Sequence, residues 1–375
     1  MKFAQAVLWL LFLLLIGRQI QSSQNSPPPQ SGKRFQSSLA KVANASPIPL
    51  FSDSESNSLL RFGSRQTSIW QPPLPQWPNQ QKVSLPLDLP IQKFEPNEQT
   101  GHQDWTYRSQ HFEFISNAPL RDHVVREFSA LFELTQLYCK QLPFHLSRLQ
   151  EKPKQKLQVR LIENYHHYLR EGGASGSGGI YLTEPDLILI PFEGLGLKKS
   201  HDSYALETDR SNQTLMHEAT HMMMRGPLLK DGWFVEGAAE YVATIPMRQN
   251  SLRLQEHHES IKRYITSFGI NNGGGHNLGK HIELAPLKTL MECDYHQFQK
   301  IENGYPYSLL VFYYFAHSDG SGNAARLISY AQALNEGQKS HTARKILLAN
   351  RDYTTLEEKI VSAWKKDGIS LTFRK

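Results

Sequence analysis

The hydrophobic pattern of the chain changes period several times between residue 111 and the C-terminus. "HFEFIS" (111–116) alternates apolar and polar positions, as a half-buried strand does. The run "LRDHVVREFSALFELTQLYCKQL" (120–142) then repeats its apolar residues every three or four positions and predicts an amphipathic helix. "KLQVRLI" (156–162) returns to the strand period. After a glycine-rich turn, "GGIYLTEPDLILIP" (178–191) reads as two short strands around a Thr-Glu-Pro-Asp break. From Ser211 onward the period is helical, over 212–225, 232–245, 252–267, 306–317, 323–335, 341–348 and 354–366. "NNGGGHN" and "HSDGSG" punctuate these helices, and no internal repeat is visible. Strands first and helices later predict an α+β architecture: a small N-terminal α/β subdomain with a sheet over 101–210, then a mostly helical subdomain over 211–375.

Residues 23–100 have a different character. "SSQNSPPPQSGKR" and "WQPPLPQWPNQQ" are rich in Ser, Gln, Asn and Pro, too polar to offset the entropy of ordering, and predict a disordered linker. The aromatics of "SIWQPPLPQW" are the exception, since they are able to dock on the domain. In "MKFAQAVLWLLFLLLIG", Lys2 precedes a run from Phe3 to Ile16 that is apolar except for Gln5. That is the length of a signal-peptide core and short for a spanning helix. With no A-x-A site after it and Arg18 close behind, residues 1–22 are either a signal peptide or an uncleaved membrane anchor. Both readings place the protein outside the cytoplasm: periplasmic, secreted or tethered to the membrane.

Composition narrows the partners. Hydrophobic residues at 39% and charged residues at 20% of 375 suit a globular domain with a sizeable core. The net charge of +6 is not gathered in a dense basic block, so no nucleic-acid partner is expected, and membrane contact only through the N-terminal anchor. Two cysteines, Cys139 and Cys293, exclude a disulfide framework; they are either one bridge or two buried thiols.

The candidate chemistry lies in "LMHEATHMMM" (215–224), where an acid sits between two histidines in an otherwise apolar run. On a helix His217 and His221 stand one turn apart on the same face, and two imidazoles at that spacing can converge on one ion. Glu218 is angled toward the same cleft, where it reaches a water on the metal without being a ligand. Zinc hydrolysis needs this division of labour. The metal lowers the water's pKa toward ~7, and a carboxylate takes the proton as the water attacks a carbonyl. For this motif alone, a core helix with two satisfied histidines is the plain alternative.

The next helix sharpens the choice. In "GWFVEGAAEYVA" (232–243), Glu236 and Glu240 are again one turn apart among apolar and small residues. Two acids on the core side of such a helix are costly unless paired or metal-bound. Glu236 then supplies the third ligand for one Zn2+ per chain, and Glu240 holds a ligating histidine by its other nitrogen. The bland reading turns both acids to solvent.

"HEATH" followed by "WFVEGAAEY" resembles the gluzincin metallopeptidases, the group that contains thermolysin and the zinc aminopeptidases. The resemblance implies a zincin-like fold with the active-site helix between the two subdomains. It implies His217, His221 and Glu236 as zinc ligands, Glu218 as general base, and Glu240 as the acid behind the ligands. "YPYSLLVFYYFAH" resembles the segment in which zinc aminopeptidases place a tyrosine that donates to the oxyanion; Tyr305 fits that register, with Tyr307 as the other option. The resemblance also implies an edge strand that pairs with the substrate backbone, for which "SGSGGIYL" is the candidate through Gly179, Ile180 and Tyr181. No acid stands there to hold a free amino group, and Glu184 lies past the strand, so an endopeptidase acting on peptides or proteins is expected. At the scale of the domain, 105–375 is similar to the exported peptidase-MA-like domains of bacteria. A silent gluzincin-fold scaffold that retains structural zinc is the alternative function.

Overall fold

The structure, a computed structural model, describes residues 77–78, 82–97, 99, 101, 103–144, 155–200, 203–207, 212–224, 227–267 and 275–375. The expected signal peptide or anchor (1–22) and the linker up to residue 76 lie outside them. The described chain is mixed α and β, with strands concentrated in the first half and helices in the second, as an α+β reading requires.

The main sheet has six strands in the order β2-β3-β4-β5-β7-β6. These are β2 (Gln92–Phe94), β3 (Trp105–Arg108), β4 (Phe112–Ser116), β5 (Leu157–Ile162), β6 (Ile180–Leu182) and β7 (Leu187–Pro191). The centre, β4-β5-β7, is parallel, and the outer pairs are antiparallel. Helix α1 (Asp122–Cys139) covers one face, where Phe128 and Phe132 meet Phe114 edge-on at 4.8 and 5.5 Å between ring centroids. The short helix α2 (Tyr165–Arg170) covers the other face. The two-sided cover explains "LILIP": Ile188 and Ile190 enter the large core, while Leu187 and Leu189 pack with Tyr168 of α2. A small hairpin, β8 (Leu197–Ser200) with β9 (Ser203–Leu206), follows the sheet.

The helical half is built on α3 (Gln213–Met223) and α4 (Gly232–Ala243). Every residue of α4 is buried, packed between α3 and α8 (Gly304–His317). Gly237 makes this possible, because a Cβ there would stand 2.7 Å from the Ser308 carbonyl oxygen. Between α4 and α8 run the strands β10 (Met247–Arg248) and β11 (Ser251–Arg253), α5 (His257–Thr266), β12 (His281–Leu284), α6 (Leu287–Glu292) and α7 (Tyr295–Phe298). The chain closes with α9 (Ala325–Asn335), α10 (Ser340–Leu348), α11 (Tyr353–Lys366) and β13 (Ser370–Phe373), which pairs in parallel with β12. Among the described residues no helix is long and apolar enough to cross a membrane.

Two expectations are corrected. The linker predicted as far as residue 100 is structured from residue 82: β1 (Lys82–Ser84) pairs with β11, and β2 joins the main sheet. Ahead of β1, the indole of Trp77 donates to the Tyr241 hydroxyl at 3.2 Å and lies within 5.8 Å of the Phe144 and His317 rings. Three-residue strands such as "KVS" are too short to show a period, and their pairing comes from partners far along the chain. The disulfide alternative also falls, since both cysteines are free. Burial pushes the Cys139 thiol up to about 12, so it is an inert core group.

The docked N-terminal segment carries a prediction. Trp77→Ala opens a space among the aromatic rings of Tyr241, Phe144 and Phe312 and is expected to cost about 2–4 kcal/mol, at or below the range for buried Trp truncation because the indole is half-buried. Urea unfolding of the variant beside the wild type measures it; equal midpoints would mean the indole rests on the domain without holding it.

Candidate metal centre

Helix α3 buries Leu215, Met216, Ala219, Met222 and Met223, and this apolar side fixes its rotation. His217 and His221 then face α4, with their Nε2 atoms 2.9 Å apart. Glu236, 2% exposed, brings its Oε2 to 3.1 Å from the Nε2 of His217 and 3.3 Å from that of His221. The three atoms form one compact triangle, and the residues meet the geometric requirement for a shared ion. Ligand bonds of about 2.0–2.2 Å in tetrahedral array set neighbouring donor atoms about 3.3–3.5 Å apart, close to the spacing seen.

The donor set also fits a cation on chemical grounds. The Oε2 of Glu236 is buried and accepts no hydrogen bond. A buried carboxylate without a counter-charge costs several kcal/mol, so positive charge belongs beside it, either a proton on an imidazole or a metal ion. Burial raises the Glu236 carboxyl, but the charge of His221 and contact with His217 outweigh this and hold it far below the usual carboxylate range. Burial lowers His217, yet Glu236 and Glu240 more than reverse that and hold its imidazole well above the usual value. The carboxylates of Glu236 and Glu240 favour positive charge here, which in the metal-free site is a proton on His217.

Glu240 sits behind the triangle. Its Oε1 is 3.1 Å from the Nδ1 of His217, an N–H donor position that leaves the Nε2 lone pair for the ion. Its Oε2 lies 3.7 Å from the Nε2 of His276, too far for a direct hydrogen bond. Burial raises the Glu240 carboxyl, but His217 and, from further out, His276 bring it down to about 2. His276 comes from the glycine-rich punctuation after α5, where no sequence signal marked it.

Glu218 turns from the triangle toward the sheet. Its Oε2 accepts the backbone N–H of Tyr181 at 2.7 Å. Strand β6 is therefore the edge beside α3, and Tyr181 directs its N–H away from β7. By antiparallel alternation Gly179 and Tyr181 present their backbone to the open edge, while Ile180 faces β7. Gly179 packs close: a Cβ there would stand 3.4 Å from the Leu189 carbonyl and 3.7 Å from the Glu218 Cγ. Gly194 is more constrained, since its Cβ would collide with the carbonyl of Gly178. Two tyrosines of α2 hold the glycine loop, Tyr165 accepting from the Gly176 N–H at 2.6 Å and Tyr168 meeting the Ser177 hydroxyl at 2.6 Å. Burial raises the Glu218 carboxyl, and the histidines and the Tyr181 N–H only partly offset it, so it stands above the ordinary carboxylate value. That is the direction a proton acceptor near neutral pH needs.

The two candidate tyrosines separate. Tyr305, at the start of α8 and 38% exposed, places its ring 6.1 Å from that of His217. Tyr307 is fully buried and donates to the Ala285 carbonyl at 3.0 Å, which makes it a core residue outside the site. Two further aromatics, Tyr295 and Phe298 of α7, stand beside Tyr305. Their helix has four residues, too short for a periodic pattern, and its one sequence mark is the Asp294/Gln297 capping box.

No family model matches the chain, and no curated protein is significantly similar to it.

Proposed function

We propose that this chain is an exported, zinc-dependent metallopeptidase of the gluzincin kind, with a zincin-like arrangement of edge strand, active-site helix and glutamate helix. The observation that carries the reading is the buried Glu236 Oε2, which accepts no hydrogen bond and faces two imidazole nitrogens at 3.1 and 3.3 Å. His217, His221 and Glu236 would hold the zinc, which supplies a lowered water pKa and a polarised carbonyl. Glu218 takes the proton of the attacking water and later returns it to the leaving amine. Gly179 through its backbone and Tyr181 through its carbonyl pair with an extended peptide, as an added strand does, the Tyr181 N–H being held by Glu218. Tyr305 donates to the substrate carbonyl oxygen as it gains charge. Export rests on the apolar run of residues 3–16.

The deciding experiment combines elemental analysis with digestion of a broad peptide library. One zinc per chain is expected, with internal cleavages that stop on chelation and return with zinc. A chain without metal sinks the reading. A chain that holds zinc and cleaves nothing is the scaffold instead.

A further inference from the structure

Among the described residues four large hydrophobic side chains are exposed: Leu87, Phe94, Tyr295 and Tyr305. The first two belong to the docked N-terminal segment. The other two stand together at the candidate metal centre, 49% and 38% exposed. They form a continuous wall: the Tyr295 ring stacks on Phe298 at 6.2 Å, Phe298 meets Tyr305 edge-on at 5.5 Å, and Tyr305 reaches His217 at 6.1 Å. Phe298 belongs to the core, whereas Tyr295 and Tyr305 stand outside it.

The wall is held in place from behind. Asp294 accepts the Gln297 N–H at 2.7 Å, and the Gln297 side chain accepts the Asp294 N–H at 3.0 Å, which fixes the start of α7. Glycines back Phe298 at the starts of α4 and α8. A Cβ on Gly232 would lie 3.5 Å from Phe298 and 3.7 Å from Tyr295, and one on Gly304 would lie 3.3 Å from Phe298. The hydroxyl of Tyr295 points inward, against the Glu236 carboxylate and the Tyr305 hydroxyl.

Resting on the metallopeptidase reading, we propose that Tyr295 is a second hydrogen-bond donor at this centre, acting beside Tyr305 on the oxygen anion of a ligand seated at the ion. The ligand class is an oxyanion: a hydroxamate, a carboxylate, or the carbonyl oxygen of a peptide as it becomes tetrahedral. Two phenols from different helices, converging beside Glu236, suit an oxygen that acquires charge in a site of fixed donors.

The test uses the full zinc-loaded protein and acetohydroxamic acid, a probe with no side chain to stack on the wall. Zinc content is measured first, then probe affinity by calorimetry, for wild type, Tyr295→Phe, Tyr305→Phe and the buried control Tyr307→Phe. Tyr295→Phe is expected to keep its zinc and its melting temperature and to bind the probe about tenfold more weakly, as loss of one hydrogen bond to a charged oxygen does. Tyr307→Phe is expected to bind it as the wild type does. Unchanged probe affinity in Tyr295→Phe overturns the proposal and leaves Tyr305 as the one donor. Zinc loss in Tyr295→Phe also overturns it, making the phenol a support for Glu236. A wild type that holds zinc but does not bind the probe sinks this inference alone; a wild type without zinc sinks the metallopeptidase reading as well.

Discussion

Glu218→Gln is expected to keep the fold and the zinc while peptide hydrolysis falls by about 10²–10⁴-fold, the usual worth of a positioned general base. The change is nearly isosteric. The amide oxygen can still accept the Tyr181 N–H now held at 2.7 Å, so the edge strand and the rotation of α3 stay as they are. What disappears is the ability to take a proton. Glu218 suits that task because burial lifts its carboxyl above the ordinary value, against the pull of the two histidines. The measurement is turnover of wild type and variant on one cleaved peptide, with zinc determined on the same samples. Equal rates would remove Glu218 from the chemistry, and loss of zinc would show that the residue supports the ion.

Glu236→Ala is expected to reduce zinc affinity by more than about 100-fold, beyond the roughly 10–100-fold loss expected of Glu240→Ala, which removes only the partner of a ligand. Without metal both variants are expected to lose stability. Glu236 is one of the two carboxylates that balance the protonated His217 in the metal-free site, so its removal leaves that buried positive charge less compensated, and the metal-free variant is expected to be less stable than metal-free wild type. Glu240 is the partner of the His217 Nδ1, so its loss leaves that nitrogen unpaired and lowers stability.

The pH dependence follows from the same groups. In the metal-free site Glu236 and Glu240 hold His217 protonated above the usual histidine value. That proton's contribution to stability is full below the unfolded histidine pKa and is lost as pH rises through the folded one. A zinc ligand must be neutral, so zinc uptake releases the proton and affinity rises with pH through neutrality. Chelator competition at mildly acidic and mildly basic pH reads this directly. Full zinc occupancy in Glu236→Ala would displace Glu236 from the ligand set, and affinity that does not change with pH would mean that His217 has no proton to release.

Much of the frame is legible in the chain itself. The two-residue period of 112–116, the continuous apolar run at 187–191 and the helical spacing of 213–223 and 232–243 all depend on neighbours within about four positions. The placement of His217 and His221 on one face, and of Glu236 and Glu240 on another, follows from that spacing alone. Convergence does not. Whether Glu236 faces the imidazoles depends on how α4 packs on α3 and α8, and so on Gly237 meeting the backbone of Ser308, seventy-one positions further on.

Tyr305 and Tyr307 are equivalent in a sequence motif, yet two residues along a helix are about 200° around its axis. The start of α8 at Gly304 sends the first toward His217 and the second into the core against Ala285. Tyr295 has no local signal at all, because a four-residue helix has no period. Strand β1 and Trp77 are held by Leu252 and Tyr241, more than 160 positions away, and only the folded chain brings those partners to them. Local periodicity determined the elements and the candidate ligands; long-range packing decided which polar atoms face the same few ångströms of space.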